Sequence, residues 1–285
     1  MLTALVTGFA IGSVYGATAL LFNVTFSTSK VLSLTTGHLV MLGAVMGSWL
    51  TGVHGYPSLL AFVGVLCIGG LFGWLTDLLA IRRVIHSIDP HLSLLSTLAV
   101  ATMVQQAVGL WWGTEPRPFP RIFTTEFGGI YDEKFWMPVA AVVILGMGLA
   151  VFYRFTIYGK LFIATSEDSF AARARGINTD RIRTMSFVIA GIMGTAVGFA
   201  AGQLTYAYFA IGNLMLIYGF IALAVGGIGS NIGGVIGGWL TGLVSAVATY
   251  WFGGEYEKTI ALSILILALL VRPQGIFGDG SRRTV

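Results

Sequence analysis

Side chains able to make specific polar interactions are few in this chain, and they are clustered. Glu167, Asp168, Arg173, Arg175, Asp180, Arg181 and Arg183 crowd into one short stretch, broken by Gly176-Ile177-Asn178. Carboxylates and guanidinium groups at this density make charge-assisted hydrogen bonds, the chemistry of docking onto another surface. A second cluster, Thr35-Thr36-Gly37-His38, sets two hydroxyls and an imidazole around a glycine within apolar sequence. That set suits hydrogen bonding to a polar solute. Neither cluster is catalytic in type. Gly159-Lys160 has neither the earlier glycine nor the following hydroxyl of a phosphate-binding loop, so this chain is not expected to hydrolyse ATP alone. Gly227-Ile-Gly229 has Ile232 where a dinucleotide loop needs its third glycine. Gly-x-Ser-x-Gly, His-Glu-x-x-His and Cys/His groupings are absent from the sequence. Cys67 is the one cysteine and is expected to be plain packing. The expected inventory is therefore no catalytic residue, no metal and no cofactor.

These clusters are set in a chain that is 56% hydrophobic and 10% charged, with a mean hydropathy of +0.85. A soluble core cannot absorb that much hydrocarbon, so the bilayer must be the solvent. Apolar runs of the ~20 residues needed to cross ~30 Å recur along the chain. They are Met1–Val24, Leu32–Thr51, Ser58–Ile81, Leu92–Trp112, Trp136–Phe155, Thr184–Gly202, Tyr208–Val225, Ile232–Phe252 and Thr259–Val271. The fold expected is all-α: one polytopic transmembrane domain over residues 1–285, of about eight or nine spans, with one or two broken or re-entrant segments. Met1 onward lacks the basic start of a cleaved signal and reads as a retained span.

Basic residues in short loops mark the cytoplasmic side. Arg82, Arg83, Arg154, Lys160, Arg173, Arg175, Arg181, Arg183, Arg272, Arg282 and Arg283 do so here. The loop over 113–135 mixes Glu115, Glu126, Asp132 and Glu133 with Arg117, Arg121 and Lys134, and is placed outside. Trp111, Trp112, Phe135 and Trp136 flank it at the expected headgroup level. The N-terminus is then outside and the C-terminus inside. The net charge of +4 follows from this orientation and calls for no nucleic acid partner.

Within the cytoplasmic loop, Thr165-Ser-Glu-Asp168 fits a capping box before a short helix at Ser169–Arg175, which Gly176 would end in a left-handed turn. Asn178 or Thr179 would cap the next span, with Asp180 near its positive end and Arg181 and Arg183 at the cytoplasmic surface. Gly229, Gly233 and Gly237 form one four-residue series and Gly234, Gly238 and Gly242 another, both expected on one helix face for close packing. Gly226-Gly227 breaks the span before them. Gly212-Asn-Leu-Met-Leu-Ile217 echoes Gly37-His-Leu-Val-Met-Leu42, a hint of two related halves. Candidate pathway residues are the polar groups within spans: Asn23, Thr35, Thr36, His38, Gln105, Gln106, Gln203, Tyr206, Tyr208 and Asn213. No Asp or Glu lies well inside any span, which argues against the alternative of a self-sufficient ion-coupled transporter or channel.

Four segments together resemble the permease subunits of branched-chain amino acid ABC importers. They are Gly12-Ser-Val-Tyr-Gly16; Gly176-Ile-Asn-Thr-Asp-Arg-Ile182 with Ser186-Phe-Val-Ile-Ala190; Val225-Gly-Gly-Ile-Gly-Ser-Asn-Ile-Gly-Gly-Val-Ile-Gly-Gly238; and Leu270-Val-Arg-Pro-Gln-Gly-Ile-Phe-Gly278. The resemblance implies half of a translocation pathway in the bacterial inner membrane, for amino acids or related small carboxylates. It implies a second homologous permease, two cytoplasmic ATPases that bind the ATP, and a periplasmic solute-binding protein as partners. It also makes Glu167 to Arg183 the element that couples to the ATPase. The family's Asn-Phe-Ala/Ser-His/Gln-Gly-Glu/Asp is here Ser33-Leu-Thr-Thr-Gly-His38, with an imidazole in place of the acid. That exchange points to an anionic passenger, or an amino acid other than leucine, isoleucine or valine.

Overall fold

The computed structural model describes residues 1–84, 91–122, 132–272 and 274–278, and these are helical almost throughout. Arg282, Arg283, Glu126 and Pro273 lie outside the described residues. In chain order the helices are α1 (Leu2–Ser29), α2 (Thr36–Ser48), α3 (Ser58–Thr76), α4 (His91–Trp112), α5 (Glu133–Phe155), α6 (Ile157–Glu167), α7 (Ser169–Ala174), α8 (Thr179–Thr205), α9 (Ile211–Gly226), α10 (Asn231–Phe252) and α11 (Glu257–Val271). π-helical turns prolong α2 through Trp49–Val53 and α3 through Asp77–Ile81. Among the described residues, seven helices are long and apolar enough to cross a bilayer, and α9 is a shorter apolar helix. Most of the expected spans agree to within a few residues, and Ser58–Ile81 agrees at both ends. The first and sixth runs extend further, because polar residues continue α1 to Ser29 and Asn178 starts α8 early.

Contacts between helix ends show the alternation. At one end Lys30 donates to the Ser166 carbonyl, Arg183 meets Asp77, and Asn23 bonds the turn at Gly229 and Ser230. At the other, Arg117 pairs its backbone with Ala207, Gln203 donates to Glu133, and Ser58 to the Ile122 carbonyl. The first end holds the basic loops, the side that loop charge assigns to the cytoplasm. Of the four aromatics flanking the outer loop, Trp111 and Trp136 face outward, while Trp112 and Phe135 are buried. Cys67, expected to pack, is instead exposed on the outward side of α3.

α1 is the central post, buried from Gly12 to Val24 and packed on α10, α8, α9 and α5. Its contact with α10 is made of glycines. A side chain added at Gly8, Gly12 or Gly16 would run into the α10 backbone around Gly242, Gly238 and Gly234; the reverse holds for Gly238 and Gly242, while Gly234 faces the side chains of Ala19 and Asn23. Lipid tails are as apolar as leucine, so helices in a membrane gain from close van der Waals packing and not from hiding oil. The two glycine series do not share one partner, however. Gly234, Gly238 and Gly242 face α1, whereas Gly233 and Gly237 face Gly226 and Ala222 of α9. A step of one residue turns a helix by about 100°, enough to select a different neighbour. Gly229 lies before α10 altogether, in a turn where its φ is 91°.

The same device repeats elsewhere: Gly43 and Gly198 join α2 to α8, and Gly69, Gly73 and Gly191 join α3 to α8. Residues 274–278 fold back so that Ile276 and Phe277 donate to the Val225 and Gly226 carbonyls, covering the end of α9. Gly238→Val should therefore lower the detergent unfolding midpoint sharply, by the 1–3 kcal/mol or more that overpacking costs. Leu240→Ala, on the outward face of the same helix, should leave it nearly unchanged.

Candidate functional site

Between α5 and α8 the chain makes two short helices, each with its own cap. Thr156 accepts from Gly159 N at 2.9 Å and starts α6. Asp168 accepts from Phe170 N and Ala171 N at 2.8 and 3.0 Å and starts α7. The expected capping box is thus shifted: Asp168 is itself the cap, and Thr165 lies inside α6 with its hydroxyl buried and unpartnered. Asp168 competes better because an ionised acceptor bonds backbone N–H groups more strongly than a hydroxyl does. Gly176, at φ 83°, ends the helix. Asn178 caps α8 by accepting from Arg181 N at 3.1 Å.

α7 is held by charge. Arg173 Nε donates to Thr179 Oγ1 at 2.5 Å, and its NH2 lies 3.5 Å from Asp180 Oδ1. Asp180 accepts from Arg183 at 2.8 Å, and Arg183 Nε reaches Asp77 Oδ1 at 2.8 Å, while Thr184 donates to the other Asp77 oxygen at 2.6 Å. Arg183 is only 3% exposed, not at the cytoplasmic surface as its position in a basic loop suggested. It turns inward because Asp77, on the π-turn that ends α3, needs a cation once buried. The bonds form one chain from α7 through the start of α8 to α3. Glu167, Arg175 and Arg181 remain exposed around it, with Ile177 half-buried. Phe170 is 82% exposed on α7, a large apolar side chain on the surface that the charge pattern concealed.

Inside the body the structure gathers Thr35, Thr36, His38 and Gln105. Thr35 Oγ1 bonds Ser33 Oγ at 2.8 Å, Thr36 donates to the Ser33 carbonyl, and His38 Nε2 lies 3.4 Å from Gln105 Oε1 on α4. His38 is fully buried and its Nδ1 has no partner. Its ring rests on Gly212, so the first turns of α2 and α9 touch where the sequence echo lies. Asn213, one residue on, is exposed. Asn23 stands apart, with both amide atoms bonded to Gly229 and Ser230. Gln203 holds the outer loop through Glu133 at 2.7 Å and Pro120. Tyr206 is 54% exposed at the outer end with φ 58°, and Tyr208 follows it before α9. Gln106 is exposed on α4, opposite the inward face that carries Gln105. Sequence reasoning missed one acid: the Glu257 carboxylate, at the start of α11, accepts from Tyr218 in the middle of α9 at 3.2 Å. Only the packing of α11 on α9 brings it there.

A polytopic helical body with interrupted helices, a buried polar cluster and a rigid cytoplasmic knuckle defines a membrane transport protein. The family model described as "Branched-chain amino acid transport system / permease component" matches residues 4–269, and the chain belongs to that family. It is the permease subunit of an ABC importer. It is 29% identical to the high-affinity branched-chain amino acid transport system permease protein LivH of Escherichia coli, covering 95% of this chain and 93% of that one. It is 28% identical to BraD of Pseudomonas aeruginosa, described in the same words, over 97% and 95%. It is 26% identical to the autoinducer 2 import system permease protein LsrC of Shigella flexneri, over 90% and 73%. A solved structure of PsaBC from Streptococcus pneumoniae in complex with Fab contains a chain of the same fold, with TM-score 0.55 and 15% identity over 97% of this chain.

Breaking a buried ion pair from one side leaves an uncompensated charge, at a cost of about 3–5 kcal/mol. Arg183→Gln should lower the unfolding midpoint accordingly, and adding Asp77→Asn should restore much of it. Equal losses in the single and double variants would contradict the pairing.

Proposed function

We propose that this permease forms half of a pathway for amino acids or related small carboxylates across the bacterial inner membrane. A second homologous permease supplies the other half, a periplasmic binding protein delivers the solute, and two cytoplasmic ATPases bind and hydrolyse ATP. The permease itself carries no cofactor. The observation that supports this most directly is α7: a capped helix with an exposed Phe170, tied by Arg173, Asp180, Arg183 and Asp77 to α3. Motion of an attached ATPase is passed on only if the receiving element is rigid, and this chain of bonds makes it so. Glu167, Arg175 and Arg181 surround the anchor with charge that fixes orientation, as rim residues do. Gly176, Ile177 and Asn178 shape the turn into α8.

The names of the relatives support the solute class. The His38 cluster supports a neutral or anionic carboxylate over a bare cation, since imidazole, hydroxyls and a side-chain amide all offer hydrogen-bond donors. His38 is closed off in this conformation, and α4, which leans on α2 and the end of α3, is the element whose movement would open it.

Phe170→Ala should reduce co-purification of the ATPases at least ten-fold, in line with the loss of a buried aromatic anchor, while the permease keeps its unfolding midpoint. Replacing Arg175-Gly176-Ile177 should abolish solute-stimulated ATP hydrolysis by the assembled complex. Solute movement by the purified chain in sealed vesicles without nucleotide would overturn the reading. For the solute, His38→Glu should shift uptake of labelled compounds away from anions; unchanged selectivity would remove His38 from the pathway.

A further inference from the structure

We infer that the outer end of this permease carries a binding site for an organic ammonium group, built on Glu257. A cleft of about 360 Å³ lies between α1, α10 and the start of α11, walled by Thr7, Tyr15, Ser245, Thr249 and Glu257 among others. It sits above the point where the glycine seam brings α1 and α10 together, since Gly8, Gly242 and Ala246 also line it. Tyr218 stands behind Tyr15, the two rings stacked 4.6 Å apart and 7° from parallel, and it donates its hydroxyl to Glu257. None of the assigned pathway residues takes part.

Two features point to a ligand. The first is Ser245, a residue of the cleft wall that is 4% exposed and whose buried hydroxyl has no hydrogen-bond partner. A buried hydroxyl left unpaired costs free energy, a cost that a hydrogen-bond donor entering a slightly widened cleft would relieve. The second is the charge balance. Glu257 is half-buried, and among the described residues no lysine or arginine forms an ion pair with it. A carboxylate drawn into the helical body is normally matched by a cation. The surrounding groups are hydroxyls and tyrosine rings, which accept from or attract a cation but give an anion no positive charge.

An ammonium group fits this set because it brings up to three donors to acceptors of just this kind, the Glu257 carboxylate and the hydroxyls carried by Thr7 and Thr249 in the cleft wall. An organic ammonium fits better than a bare metal cation. The cleft is far larger than one ion, and apart from its hydroxyls its walls are alkyl and aromatic. The cleft and its carboxylate are independent of any transport role; that the ammonium is the amino group of the transported solute rests on the proposed function. On that reading Glu257 meets the amino end at the outer mouth, and His38, deeper in, meets the carboxylate.

The test reads the cleft without transport. Thr249→Cys, in a Cys67→Ser background, is placed in the full-length chain in membrane vesicles and labelled with methanethiosulfonates carrying trimethylammonium or sulfonate. After correction for their rates on a free thiol, the cationic reagent should react about ten-fold faster, as a nearby uncompensated carboxylate requires. In Glu257→Gln, which can still accept from Tyr218, the ratio should fall to near one. Ethylammonium chloride should slow labelling, while caesium chloride and sodium propionate at equal concentration should not. Equal rates for the two reagents, or a ratio untouched by Glu257→Gln, would overturn the site. Protection by caesium as strong as by ethylammonium would assign an inorganic cation and overturn the organic one. Failure here leaves ATPase co-purification unaffected, so the two readings fall separately.

Discussion

A helix in hydrocarbon has already satisfied its own backbone and finds no gain in hiding leucine from lipid, so what joins one span to another must be close contact. In this protein the decisive contact is backbone to backbone, where Gly12 and Gly16 of α1 meet Gly238 of α10. The seam makes α1 a buried post with α10 fixed along it, and α9 follows because Gly233 and Gly237 present the adjoining face to Gly226. Two further spans, α2 and α3, are added onto α8 in the same way, through their own glycines. A body assembled from such contacts moves as packed pieces. Bulk cannot be taken up locally where two backbones already touch.

Polar groups in this body secure the places where helices break. Asn23 uses both ends of its amide to hold the turn between α9 and α10, which contains two left-handed glycines, Gly227 and Gly229. Ile276 and Phe277 satisfy carbonyls at the end of α9 that would otherwise face a dry interior. This explains why the motif near the C-terminus and the glycine-rich motif before α10 occur in one chain, since they are two sides of one contact. The first turns of α2 and α9 meet at Gly37, His38 and Gly212, so both short helices begin beside the same buried imidazole.

The proposed coupling element and the proposed recognition cleft lie at opposite ends of the helical body. The cytoplasmic end is stiffened by a relay of charges that reaches from α7 to α3, with Arg183 and Asp77 buried at its core. The outer end is built from hydroxyls, tyrosines and one carboxylate around an open cleft. The tight glycine seam lies between the two, a suitable axis for linking events at one end to the shape of the other.

Fold class, span boundaries and the family likeness were legible in the chain because each depends on local quantities: the length of an apolar run and the order of short motifs. Gly176 as a helix stop and Asn178 as a cap were legible for the same reason, being properties of a few consecutive residues. Partner choice was not. The two glycine series look alike in one dimension, yet a residue's offset sends one to α1 and the other to α9. Arg183 reads as a surface charge until Asp77, far away in the chain, is brought beside it. Asn23 and Gln203 read as pathway groups until the turns they hold are seen, and Cys67 reads as buried until the outward side of α3 is known. Glu257 reads as a loop acid until α11 packs against α9 and delivers it to Tyr218. Sequence specifies what each segment is; which faces meet is settled only when all the helices compete for the same few close contacts.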